Sequence, residues 1–357
     1  MKKQFNILLL TLLLIPFLGF SNDDFNYTKQ KVINKAYIVN SDAGVNIDNS
    51  YGTIFVTTWN EDKIEIEVII KVSGNSESWV NAKLAAIDVD FTALKSMVSA
   101  KTTFNNTSTQ KNGRDNSFEI NYTVKIPKNG TVKLNNKYGN IGTTDLFSST
   151  DINCKYGKIN LGRLNGNINN IQISYSSNST IEYLKNGAVN ARYSGLKMDE
   201  VNKIDLLSDY SEIDINQGND IKYISKYGSV KIKKLNNLDA IGNYLTIYVG
   251  SVNNQLNLKA RYSNINIDAI QPKANNIQIA AAYSGIDIGF QNNYSFDFDV
   301  SLKFADFKYD NELSIYSKEE TNTAKRFSGY FKKKGENKIT ITSEYGNVKL
   351  YKNDAQK

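Results

Sequence analysis

The 357-residue chain contains no histidine. That removes Ser-His-Asp triads, Cys-His pairs and histidine-bearing metal sites. A single cysteine, Cys154, can form neither an internal disulfide nor a thiolate zinc cluster. It alternates with Ile152 in Ile152-Asn153-Cys154-Lys155-Tyr156 and is expected to be a buried structural thiol rather than a reactive one. No glycine-rich phosphate loop and no Gly-Gly-x-Gly-x-Asp calcium repeat occurs, so no cofactor or metal is expected. The remaining candidates for chemistry are carboxylates and a column of bases.

Asp214, Asp268, Asp287, Asp297 and Asp299 are the acids that a glycan-active β-helical hydrolase or lyase would bring together. The first three alternate with isoleucine, which is also how an ordinary solvated strand face reads, and the five do not share one address in the repeat. No catalytic residue is assigned. The bases are Lys137, Lys155, Arg192, Lys226 and Arg261, each directly before a tyrosine. Stacked on successive coils they would form a ligand-binding stripe for an acidic glycan or peptidoglycan, with tyrosine faces as surfaces for sugars. Ser174, Asp209, Asn243 and Ala282 interrupt the column. Charging of an exposed edge against self-association is the competing explanation.

The tyrosines themselves mark an internal repeat. Tyr followed by Gly or Ser occurs at Tyr51, Tyr138, Tyr156, Tyr175, Tyr193, Tyr210, Tyr227, Tyr262, Tyr283 and Tyr345, and Tyr244 is followed by Leu. From Tyr138 to Tyr283 the steps are 17 to 21 residues, about eighteen on average. With the Tyr as position zero, +3 is aliphatic (Ile54, Ile141, Ile159, Leu196, Ile213) and so is +5 (Val56, Leu161, Met198, Ile215). Position −4 is also aliphatic (Ile47, Leu134, Ile152, Ile171), and −2 is small (Cys154, Ala191, Ser208, Gly242). Period-two alternation on both sides means a half-buried strand before and after each Tyr. The small residue fits a narrow corner, and the Gly or Ser is expected to permit the bend. Units of this length bury a core only when stacked. The fold class predicted is all-β: a β-solenoid of about eighteen residues per coil, right-handed in preference to left-handed, with the Tyr column as a packed ladder. A hexapeptide left-handed helix fits poorly, because the apolar residues do not recur every six.

Where the repeat lapses, caps are expected. After Tyr51 the chain reads as strand (Lys63 to Val72), helix (Glu77 to Ala86), strand (Lys95 to Phe104) and strand (Ser117 to Ile126). After Tyr283, Phe296 to Leu302 alternates as a strand, while 105–116 and Lys318 to Arg326 are polar and read as loops. The division expected is residues 1–21 as a signal peptide, 22–131 as a β-rich N-terminal cap with one helix, 132–290 as solenoid repeats, and 291–357 as a C-terminal β cap. Lys2-Lys3, the apolar run Phe5 to Leu18 and the small residues Gly19 and Ser21 give the signal peptide its form. The run is too short to span a bilayer, and no cysteine near it would accept a lipid. Its removal lowers the formal charge from +7 to +5.

The run Tyr51-Gly52-Thr53-Ile54-Phe55-Val56-Thr57-Thr58-Trp59, the strand-helix-strand segment after it and the repeated Tyr-Gly-x-Ile units resemble the putative adhesin domain family of bacterial exported proteins. The resemblance spans about Ala36 to Leu350. It implies a β-solenoid of the envelope or cell surface, without catalytic residues to carry over. The function expected is a non-enzymatic exported protein of the periplasm, outer envelope or cell surface, an adhesin or binding scaffold. Its partner would be a glycan or protein, with no nucleic acid and no integral membrane segment after signal removal. The alternatives are the glycan-active enzyme above and an envelope sensor without a fixed ligand.

Overall fold

A computed structural model describes residues 25–105 and 116–353; the expected signal peptide and most of the first polar loop lie outside them. The chain is all-β, wound as a solenoid whose strands join one continuous sheet. Successive coils pair in parallel. Thr150–Lys155 lies between Val132–Lys137 and Asn169–Ser174, and the second leg repeats this with Ile159–Leu164 between Ile141–Thr143 and Ser179–Arg192. The pairing is so continuous that Gly195–Arg261 is one unbroken run of strand, turning at Tyr210, Tyr227 and Tyr244.

The expected core columns are buried, and two more join them. Position −6 contributes Val45, Val132, Ile204, Ile221 and Ile277, and position +8 contributes Leu146, Leu164, Val201, Leu235 and Ile270. Some buried polar residues in these columns are hydrogen-bonded from coil to coil. Asn169, at −6, donates to the carbonyls of Gly166 and Asn186 and accepts from Thr150 Oγ1 at 2.9 Å. Thr143 fills the +5 address of its coil and keeps the alternation, paired to both Val56 and Leu161. Asn178 is an inserted residue at φ 55°, which moves Ser179 into the +3 place opposite Leu196.

The bend is not made as expected. Gly or Ser was to permit it, but the tyrosine turns the chain: all eleven repeat tyrosines have φ between 50° and 65°, and so does Phe304, at 52°. The following residue shares in the bend at two corners, where Gly52 and Gly228 have φ of 158° and 140°, and elsewhere does a different job. A Cβ on Gly139 would stand 1.7 Å from the carbonyl oxygen of Gly52, so glycine there lets coils approach. Where serine follows instead, its hydroxyl accepts a neighbouring coil's N–H, as Ser211 Oγ does from Ser194 N at 3.1 Å.

Both ends are closed. At one, Met97–Phe104 and Asn116–Pro127 pair in parallel on the two legs of the coil at Tyr51. Outside them lie the antiparallel strands Ile87–Ala93, Lys63–Gly74 and Tyr27–Ile38. The helix is Glu77–Ala86, as read from the sequence; Ser76 caps it by accepting from Trp79 N, and Val80 faces the core. At the other end the order departs from the chain. Lys338–Glu344 lies between Ile277–Ala282 and Phe296–Lys303, so the coil at Tyr345 is inserted between those at Tyr283 and Phe304. The segment Lys318 to Arg326, expected as a loop, belongs instead to a hairpin of Ser314–Glu320 and Ala324–Phe331. Its outer strand packs Ile315 inward and then turns polar at Ser317-Lys318-Glu319-Glu320, because it covers an edge and is held by backbone pairing, which leaves no sustained apolar alternation to read. Among the described residues no helix is long and apolar enough to cross a membrane.

Candidate ligand-binding face

The tyrosines form one ladder from Tyr51 to Tyr345, with ring centroids 4.6–5.1 Å apart and planes within 19° of parallel. Phe304 continues it at 5.0 Å. The spacing is that of hydrogen-bonded strands, about 4.8 Å. Each tyrosine N–H donates to the residue before the next rung's tyrosine, as Tyr193 N does to Asp209 O at 3.0 Å. At the far end Tyr51 meets Phe118 at 4.9 Å and Phe104 edge-on, and the Lys83 ammonium lies 4.1 Å from the Phe118 centroid. Burial holds the Lys83 pKa below its ordinary value.

Of the two readings of the tyrosines, packed ladder and surface for sugars, this geometry has the ladder. Every interior ring has a neighbour about 5 Å away on both faces, so the tyrosines cannot offer faces to sugars. They are half-exposed, and what remains open is a row of ring edges and hydroxyls.

Along one flank runs the residue before each tyrosine. Lys137, Lys155, Arg192, Lys226 and Arg261 are all exposed, and among the described residues none of the five is in an ion pair. Lys137 and Lys155 occupy adjacent rungs, with their ammonium groups 4.8 and 5.1 Å from the rings of Tyr138 and Tyr156. Ser174 separates Lys155 from Arg192, and Asp209 follows Arg192. The column is one line of side chains, polar except at Ala282, in which positive charge recurs.

Three exposed aliphatics, Leu207, Ile224 and Ile241, occupy position −3 on successive coils. They line the same strand face, beside two adjoining grooves of about 720 and 610 Å³ that share Asp205 and Lys222. The sequence carried the signal: position −3 is Asn135, Asn153, Gln172 and Asn190 before it turns apolar.

The carboxylates do not gather into one site. Asp214 and Asp287 share the address +4, but Asp268 stands at +6, and Lys231, Tyr248 and Asn266 occupy the three coils between the first two. Asp268 accepts a hydrogen bond from the Tyr248 hydroxyl, which together with burial pushes that phenol up to about 12. Asp299 is held by Arg326 at 2.9 Å and Asp297 by the N–H of Gly335 at 3.1 Å, both in the C-terminal cap. Among the described residues no group of three His, Cys, Asp or Glu is placed to hold a metal. Cys154 is buried, and burial pushes its thiol up to about 11.

No protein-family model matches the chain, and no curated protein does. Among solved structures, one described as a putative cell adhesion protein from Clostridium sporogenes is 9% identical. The alignment covers 90% of this chain and 100% of that one, with a TM-score of 0.17. Another, described as a putative adhesin from Bacteroides fragilis, is 13% identical, with 90% and 97% covered and a TM-score of 0.18.

Proposed function

We propose that the chain is an exported, non-enzymatic binding protein of the cell envelope or surface, an adhesin-type scaffold that holds an acidic envelope or surface glycan along its solenoid face. The observation that carries this reading is the column of five exposed basic residues without ion-pair partners beside the tyrosine ladder. A charge column on a rigid lattice is preorganised, so a stiff polymer meets several charges for one loss of orientational freedom. The ladder supports it mechanically, fixing the backbone of every rung. The Lys2-Lys3 and apolar N-terminal pattern supports export, and the Tyr-Gly-x-Ile units support kinship with the adhesin-domain family.

The test is retention of the protein on immobilised acidic glycan and envelope extract across a salt series. Retention should weaken as salt screens the contacts and disappear when Lys155, Arg192, Lys226 and Arg261 are each changed to Glu. Unchanged retention of that variant refutes the reading.

A further inference from the structure

The strand face before each tyrosine carries three outward positions per rung, −5, −3 and −1, and their charges alternate in sign. The rung of Tyr193 presents Ala188, Asn190 and Arg192, and its neighbour, the rung of Tyr210, presents Asp205, Leu207 and Asp209. The rung of Tyr227 presents Lys222, Ile224 and Lys226, and that of Tyr244 presents Asp239, Ile241 and Asn243. The rung of Tyr262 presents Asn257, Lys259 and Arg261. Positive, negative, positive, negative and positive bands therefore cross the face, with a period of two coils. Among the described residues none of these charged side chains is in an ion pair. The two grooves run along the −5 side of this face and share Asp205 and Lys222, and Leu207 and Ile224 line the smaller one; with Ile241 these two make the centre of the face apolar.

Building on the glycan-binding reading, we infer that this face takes a linear polysaccharide carrying one carboxylate per disaccharide, with an uncharged sugar between. Two rungs measure about 9.6 Å, and an extended chain of equatorially linked pyranose rings advances about one rung per ring. Carboxylates then fall on the bands of Arg192, Lys222 with Lys226, and Lys259 with Arg261. The uncharged sugars fall on Asp205, Asp209, Asp239 and Asn243, which accept from hydroxyl and acetamido N–H groups. The C–H faces of the sugars lie on Leu207, Ile224 and Ile241. A polymer charged on every sugar would set carboxylates against Asp205 and Asp209, so the negative bands select against it.

A second copy of the chain, docked antiparallel with its bands offset by one rung, would also match signs. Five rungs of a six-residue strand give only about 500 Å² per partner, below the roughly 800 Å² of a standard stable interface.

The experiment uses the protein without its leader, with calorimetric titration of three oligosaccharides of about six sugars each: hyaluronan (alternating), β-1,4-oligomannuronate (equatorially linked, with a carboxylate on every sugar) and a neutral β-1,4-glucan. Hyaluronan should bind at least about tenfold more tightly than oligomannuronate, and the glucan more weakly still. Asp209→Lys should shift the preference toward oligomannuronate while leaving the circular dichroism spectrum unchanged. Binding that merely follows charge density overturns the disaccharide register but leaves the proposed function standing. Loss of all acidic-glycan binding by the unaltered protein overturns both. A dimer by sedimentation that dissociates on Ile224→Asp assigns the face to a second copy and overturns the inference.

Discussion

Replacing one interior ring of the ladder separates the two energies that the tyrosine column balances. Tyr193 sits at φ 50° with Tyr175 and Tyr210 each 5.0 Å away, and half its surface is exposed. An L-residue in this left-handed region costs about 1–2 kcal/mol. Opposing that, the buried half of the side chain, about 100 Å², contributes about 2.5 kcal/mol. Each of the two stacked contacts adds about 0.5–1.5 kcal/mol. Tyr193→Ala keeps the strain and loses ring burial and both stacks, so about 3.5–5.5 kcal/mol should be lost. Tyr193→Gly loses the same contacts but relieves the strain, less about 0.5–1 kcal/mol for the entropy of a glycine. It should therefore be more stable than the alanine variant by about 0.5–1 kcal/mol, the reverse of the usual order in a strand. Tyr193→Phe should lie within about 0.5 kcal/mol of the unaltered protein, because the stacks and burial survive. Urea denaturation, with hydrogen exchange at the amides of Tyr175 and Tyr193 to catch local opening, measures all three. If alanine equals or exceeds glycine, the backbone strain is not a determinant. If phenylalanine costs as much as alanine, the hydroxyl rather than the stack holds the rung.

Tyr223 takes a −4 core position, fully buried, and its hydroxyl has no hydrogen-bond partner. Tyr223→Phe should therefore raise stability by about 1–2 kcal/mol in the same urea assay, and a loss would mean that the hydroxyl is satisfied in solution. Alkaline pH should unfold the chain. Burial pushes the Tyr122 phenol up to about 12 and raises Tyr223 and Tyr294, so their stabilisation is complete below the unfolded value near 10 and is lost as pH climbs from there to about 12. Thermal midpoints flat across that window would contradict the burial of these side chains. Ending the chain at residue 337 removes Lys338–Glu344 and with it the partner of both Ile277–Ala282 and Phe296–Lys303. The exposed edges should drive aggregation, seen as loss of the monomer peak on gel filtration, and a monomeric truncation would refute the inserted position of the last coil.

Most of the architecture was legible because it is local. Alternation at −4, −2, +3 and +5 names the buried side chains without knowledge of any partner coil, and the helix Glu77–Ala86 was read with the bounds it has. The thiol of Cys154 could be read as buried for the same reason. The hairpin of Ser314–Glu320 and Ala324–Phe331 was not legible, since a strand that only covers an edge carries no apolar period. The candidate site was read in part: its basic column was named, but the ring faces assigned to sugars are occupied by other rings.

The sequence by itself determined the period, the core columns and the residues at each corner, all of which follow from spacing along the chain. Only the tertiary structure decided that tyrosine and not glycine turns the corner and that the last coil is threaded between two earlier ones. It also decided that the charges of different coils fall into alternating bands. These depend on which coil stacks on which, a matter of pairing across 17 to 62 residues that no local pattern encodes.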